Sequence, residues 1–304
     1  MIENFLDLVE TFGFVPNGAR IYYLNRSQPP LLTLMVRTYV EYTNDAQLLD
    51  RALPLLEKEL EFWAKNRTVS VRSPFTGKQY RLSHYAVLNN QPRAESYTED
   101  YMTANSQSDG LAALNDSEIA SVYAELSSGA ESGIDYSSRW LRNPLDAVLG
   151  TGVPPLRSLG LRETIPVDLN SILYAVEKAI AEFHLSRNNL TAFKYYQSLA
   201  NDRVNGMYDL MFNATEFRYF DYNMSSQAQD VIGWTGKDLS NLKQGVRFYP
   251  EQFYPFWLKA VPKALEDPKV VEMAFHPIAK LLVKNAGAIG ASNLVSGLLS
   301  SLSS

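Results

Sequence analysis

The 304-residue sequence predicts an all-α fold, an α/α architecture such as a toroid of helical hairpins, with one small β-hairpin. Three observations predict it. Long segments with 3.6-residue apolar periodicity come in pairs separated by breaks of a few residues. Strand-like alternation is scarce. Polar motifs fall in the loops between the helices, where a scaffold carries its sites.

The elements follow in chain order. QPPLLTLMVRTYVEYT (28–43) opens on prolines, whose missing N–H costs little at a helix start, and continues with helical spacing. NDAQLLDRALPLLEKELEFWAKN (44–66) follows after a short break with Asp45 as its cap, so the two form an antiparallel hairpin. VSVRSPFTGKQYRLSHYAV (69–87) alternates on both sides of a Thr-Gly turn and reads as the β-hairpin. DSEIASVYAELSSGAES (116–132) is a helix capped by Asp116 or Ser117. IPVDLNSILYAVEKAIAEFHLS (165–186) and LTAFKYYQSLANDRVNGMYDLMF (190–212) make a second helical hairpin. FRYFDYN (217–223) alternates aromatic and polar residues as one short strand would, and two more helices are expected over 250–265 and 267–285.

Composition narrows the function. Net charge is −5 with no dense basic tract, which argues against a nucleic-acid partner. Cysteine is absent, which excludes disulfides, thiolate zinc sites and cysteine nucleophiles, and the three histidines (His84, His184, His276) lack ligand spacing, so no metal site is expected. No run of 18 apolar residues predicts a membrane span. The first residues, MIENFLDLVETFGF, carry acids where a signal peptide needs a basic flank, yet six Asn-X-Ser/Thr sequons (Asn25, Asn66, Asn115, Asn189, Asn213, Asn223) fit a secretory route. Eighteen tyrosines fit either a tyrosine-rich core or a cavity that handles polar, ring-shaped ligands.

Four loop motifs carry candidate chemistry. PNGARIYYLNRSQPP (16–30) gathers Asn17, Arg20, Asn25, Arg26 and Gln28 among tyrosines; amides and guanidinium forks suit a ligand rich in hydroxyls, and a polar turn into a helix is the plainer reading. QPRAESYTEDY (91–101) sets Arg93 and Glu95 two apart, either to pair with each other or to face a ligand together. ESGIDYSSRW (131–140) places Asp135 among small residues with Arg139 and Trp140 behind it, either a solvated turn or a working acid. TIPVDLN (164–170) opens a helix.

In this order the motifs resemble those of the trehalases, the inverting glycoside hydrolases that cleave α,α-trehalose. The resemblance runs from the first residues to about FYPEQFYPFW (248–257) and implies an (α/α)6 barrel, here incomplete, with no cofactor and trehalose as the small-molecule partner. It casts Asp135 as the catalytic general acid, from the family pattern ESGWDxSSRW. Asn17, Arg26 and Gln28 become sugar-binding residues, and Arg93 and Glu95 line the subsite. Glu131 and Asp168 are read as structural. An inverting glycosidase also needs a second carboxylate to activate water about 6.5–9.5 Å away.

This chain departs from the family at Ile134, where Trp is usual, and at Gln91 and Ala94, where Arg and Pro are usual. The family's PGGRFxExYYWDSYW and QWDYPNGWAPP signatures are not found in it, and the resemblance puts the general-base Glu beyond Ser304. Residues 1–265 are therefore expected to be part of a trehalase catalytic domain and 266–304 a divergent C-terminal helix and tail. Two readings follow: a trehalose hydrolase, extracellular or on the secretory route, or a catalytically inactive trehalase-like piece that binds sugar or a partner.

Overall fold

The computed structural model describes residues 1–107, 112–134, 136–147, 155–235 and 241–284. An amphipathic segment at the N-terminus forms helix α1 (Ile2–Phe12), which buries Leu6 and Val9 and ends on Gly13 in the left-handed conformation. Helices α2 (Leu32–Thr43) and α3 (Ala46–Asn66) make the first expected hairpin. The Asp45 carboxylate accepts the Leu48 N–H at 2.9 Å and caps α3 as its sequence position predicts. Strands β1 (Thr68–Arg72) and β2 (Gln79–Ser83) pair antiparallel, Thr68 opposite Ser83 and Arg72 opposite Gln79. A short helix, α4 (Tyr97–Asn105), precedes α5 (Asp116–Ser132).

Neither Asp116 nor Ser117 caps α5. Asn115 does, accepting the Ser117 and Glu118 N–H groups while the Glu118 carboxylate accepts the Asn115 N–H, a complete capping box. Asn189 likewise caps the helix that starts at Leu190, through the Ala192 N–H. Asn213 and Asn223 close turns by accepting Thr215, Glu216 and Ser226 N–H groups. Asn66 donates to the Phe62 carbonyl at 2.9 Å, so five of the six sequon asparagines have a local backbone use.

The second hairpin joins α6 (Val167–Ser186), after a two-residue strand β3 (Thr164–Ile165), to α7 (Leu190–Met211). Helix α6 is buried along nearly its whole circumference and is the central element. The stretch at 217–223 is two strands rather than one. β4 (Phe212–Asn213) pairs with β5 (Arg218–Tyr219), and β6 (Tyr222–Asn223) joins β3 and β7 (Ala228–Gln229). Between them Asp221 is drawn into a buried ion cluster. A further pair, β8 (Ile232–Thr235) and β9 (Lys243–Val246), has no counterpart in the sequence reading.

The helix expected over 250–265 is broken into a 3-10 turn (Pro250–Phe253), one turn of helix α8 (Tyr254–Trp257) and another 3-10 turn (Lys263–Leu265). Pro255 and Pro262 offer no N–H, and Lys259 takes a positive φ of 56°, so the periodic aromatics cannot propagate one helix. Helix α9 (Pro268–Lys284) follows where the second was expected.

Two buried clusters meet on α6. One, from α1, α2, α3 and α5, includes Leu6, Val36, Leu56 and Leu126 and an edge-to-face series Trp63–Tyr85–Trp140 with ring centroids 6.3 and 6.5 Å apart. The other gathers Val71 and Leu82 of the β-hairpin, Met207 and Leu210 of α7, and Phe248, Phe253 and Phe256 of the C-terminal segment. A buried network links the β-hairpin to the helical hairpin. Asn170 of α6 exchanges bonds with both backbone groups of Ser83, and Arg203 of α7 donates to Asn170 while gripping Glu177.

Glu59 of α3 is 2% exposed. Burial pushes its carboxyl up to about 7, and a hydrogen bond from the Val15 backbone opposes the shift. A raised carboxyl keeps its full contribution below the unfolded-state pKa of about 4.5 and loses it as pH climbs through the folded value. Glu59→Gln is therefore expected to unfold at higher urea than the parent at pH 8, by about 3 kcal/mol at most, and at the same urea below pH 4.5. Equal stability at pH 8 would contradict the assignment.

Candidate active site

The C-terminal end of α5 is the place where the loop motifs converge. Gly133 ends the helix at φ 66°, and a Cβ there would lie 2.6 Å from the Gln28 side-chain oxygen, so glycine satisfies both the turn and the approach of Gln28. Gly129 has the Tyr136 ring within 2.2 Å of where a Cβ would stand, which lets Tyr136 lie flat on α5 and donate its hydroxyl to the Leu126 carbonyl at 2.7 Å.

Around this end sit the residues singled out in the sequence. Asn17 donates to the carbonyls of Ser27 (3.0 Å) and Ala130 (3.3 Å) and accepts from Arg26 Nε (3.3 Å). Gln28 donates to the same Ala130 carbonyl at 3.3 Å. Arg26 is 1% exposed and ion-paired with Glu95, with its guanidinium 5.1 Å from the Tyr23 ring centroid. Burial lowers the Arg26 pKa, and Glu95 opposes that.

Arg93 and Glu95 do not pair with each other. Arg93 pairs with Asp100 of α4 through Nε (2.8 Å) and Nη2 (2.6 Å), and its backbone N–H reaches the same carboxylate. Its guanidinium lies 5.9 Å from the Tyr136 ring centroid. The five residues Asn17, Arg26, Gln28, Arg93 and Glu95 therefore come together around Ala130 and Tyr136. Asp135 lies outside the described residues. Of its neighbours, Ile134 packs partly buried against the main core, and burial pushes the Tyr136 phenol up to about 12.

Behind this layer lie carboxylates the sequence reading left as structural, and here they are buried ion pairs. Glu131 is fully buried, takes Arg67 in two bonds (2.6 and 2.9 Å) and accepts the Ser27 N–H at 2.8 Å, so it locks α5 to α3 and to the Arg26 loop. Asp168, at the start of α6, accepts Arg139 Nη2 at 2.5 Å.

Arg139 also holds Asp221 in two bonds (2.7 and 3.0 Å) and lies 3.7 Å from Glu251. Its guanidinium is sandwiched at 4.2 Å from the Trp140 ring and 4.5 Å from the Tyr249 ring. The carboxylates hold its pKa well above the ordinary arginine value despite complete burial. Three acids share this cation. Burial raises the Glu251 pKa, Arg139 opposes the shift, and Asp168 and Asp221 add to it.

Asp221, Tyr249 and Glu251 had no place in the sequence reading. Their only sequence signal is a charged or hydroxylated residue inside an otherwise aromatic stretch, FRYFDYN and FYPEQFYPFW.

The fold and the site together describe a helical-hairpin protein that gathers amides, guanidiniums and carboxylates around the C-terminal end of α5. The sequence model of the trehalase family matches residues 1–297, and this chain belongs to that family. It is 36% identical to the trehalase of Dictyostelium discoideum over 95% of its own length and 44% of that protein's. It is 38% identical to the trehalase of Homo sapiens over 90% and 41% of the two chains. It spans less than half the length of these curated relatives. The neutral trehalase of Saccharomyces cerevisiae superposes with a TM-score of 0.62 at 20% identity, covering 91% of this chain and 48% of that one. The shared fold makes the two helical hairpins part of an (α/α)6 toroid.

The weight placed on Arg139 has a direct test. Arg139→Met leaves Asp168 and Asp221 buried without their cation, and equilibrium urea unfolding should show a loss of about 3–5 kcal/mol. A loss within about 0.5 kcal/mol, the size of an ordinary surface change, would show that the pairings bear no stability.

Proposed function

We propose that the chain carries trehalose-hydrolysing chemistry, with Asp135 as the general acid and Asn17, Arg26, Gln28, Arg93 and Glu95 holding the sugars. The observation that carries this reading is the gathering of those five side chains around the end of α5, the helix whose sequence runs on directly into Asp135. Membership of the trehalase family supports it.

The chemistry follows from the groups. Glycosidic cleavage needs a proton on the departing oxygen as its bond to the anomeric carbon breaks, and an aspartic acid held protonated supplies it. Inversion further requires that a water molecule attack the opposite face of the same carbon and lose its proton to a second carboxylate, the general-base Glu that the resemblance puts beyond Ser304. Arg26, buried and bonded through Nε, Nη1 and Nη2 to Asn17, Asn25 and Glu95, fixes the Glu95 carboxylate, which is the more exposed partner and offers an acceptor to sugar hydroxyls without reorganising. Asn17 and Gln28 are held by one carbonyl, Ala130, which sets their spacing. Preorganisation of this kind lowers the entropic cost of orienting a polyhydroxylated ligand.

The reading is tested by glucose release from trehalose, using purified chain and Asp135→Asn. Release that falls by about 100-fold or more in the variant is the expected result for loss of a general acid. Inversion at one centre predicts that the first glucose detected by proton NMR is an equal mixture of α and β anomers. Release unchanged by Asp135→Asn, no release at all, or purely α product would each overturn the proposal.

A further inference from the structure

A second concavity, sharing no residue with the site above, opens where the β-hairpin leans on α7. Two contacts fix the lean. Tyr80 of β2 packs against Gly206, where a Cβ would stand 3.0 Å from Tyr80 Cβ and Cγ. The Thr76 hydroxyl donates to Asp209 of α7 at 2.5 Å. Between the hairpin, α7 and the end of α3 lies an open cavity of about 1070 Å³. Leu60, Ala64, Tyr195 and Leu199 also line a neighbouring bay of about 510 Å³. Ligand sites typically hold roughly 300–1,000 Å³, so the room suffices for several sugar rings.

The walls specify the kind of ligand. Tyr195 is 59% exposed and Tyr208 44% exposed, and both belong to the cavity lining. Tyr208 is braced by stacking on Phe212, with ring centroids 5.2 Å apart and planes 19° apart. Rings held this way offer flat apolar faces with a hydroxyl at the edge. Charges on the lining balance. Arg203 and Glu177 neutralise each other in a buried bidentate pair, and Lys78 and Arg81 stand against Asp202 and Asp209. A ligand with net charge of either sign would meet as much repulsion as attraction. The amides of Gln79 and Asn205 supply both donors and acceptors. A neutral ligand with apolar C–H faces and many hydroxyls satisfies all of these walls at once.

We propose that this groove is a second carbohydrate-binding site, taking a neutral oligosaccharide whose pyranose faces lie on Tyr195 and Tyr208. Its hydroxyls bond to Asp202, Asn205 and the cations of the hairpin. The inference stands apart from the catalytic reading, since no residue is common to the two sites.

Isothermal titration of the full chain with maltotriose, cellotriose and chitotriose tests it. At least one should bind saturably at millimolar concentration or tighter. Tyr195→Ala/Tyr208→Ala should weaken that binding tenfold or more, while Glu95→Gln leaves it unchanged. Asn205→Trp, a change at an exposed position that fills the groove, should block binding with the circular dichroism spectrum preserved. Absence of binding by all three sugars, binding indifferent to the tyrosine and Asn205 substitutions, or binding lost only in Glu95→Gln would each overturn the proposal.

Discussion

A single buried guanidinium, Arg139, joins parts of the chain that nothing else in their local sequence would bring together. It takes Asp168 from the first turn of α6, Asp221 from between β5 and β6, and Glu251 from the turn before α8, and it lies between the rings of Trp140 and Tyr249. Burying these acids is tolerable only beside a cation, and Arg139 meets Asp168 and Asp221 through Nε and Nη2, while its Nη1 makes no hydrogen bond among the described residues and lies 3.7 Å from Glu251. Each partner therefore depends on the others. Asp221 spreads the constraint further: its carboxylate accepts the Val167 N–H at the start of α6, and its own N–H donates to the Tyr249 hydroxyl. The Arg247 side chain then donates to the Arg139 carbonyl.

What this cluster anchors is the segment that leaves α5. Glu131 and Arg67 fix the helix end on one side and Arg139 fixes the chain a few residues later on the other. The stretch between them is held at both ends while Gly133 permits its turn. The layer of Asn17, Arg26 and Gln28 is attached to the same helix end, because Glu131 accepts the Ser27 N–H next to Arg26 and because Asn17 and Gln28 share the Ala130 carbonyl. Stability and geometry of the site thus rest on two sets of buried polar contacts, Glu131 with Arg67 and Ser27 and Arg139 with its acids, whose members lose more when isolated than any one pair contributes.

Much of this was legible in the sequence, for physical reasons that differ by element. The pairs α2–α3 and α6–α7 are long enough for periodicity to declare itself, and Asp45 announces the start of α3. Helix α1 has the same apolar spacing at Ile2, Phe5, Leu6 and Val9, though it spans only about three turns and has no side-chain cap to mark its start. The single helix expected over 250–265 does not form because Pro255 and Pro262 interrupt it. At α5 three candidate caps, Asn115, Asp116 and Ser117, stand in a row, and local sequence does not choose among them. The polar site residues were readable from their motifs, and their partners were not. Arg93 turns to Asp100, Glu95 to Arg26, and Arg139 to acids as far away as Asp221, pairings across long sequence separations that no local pattern encodes.

If one cation ties these segments, its loss must loosen them together. Native-state amide hydrogen exchange on Arg139→Lys, which keeps the charge but not the forked geometry, measures that directly. The account predicts that protection falls in concert at the amides of Val167, Asp221 and Arg247, which lie in three separate parts of the chain. Protection that falls only next to residue 139, with those three amides unchanged, would contradict it.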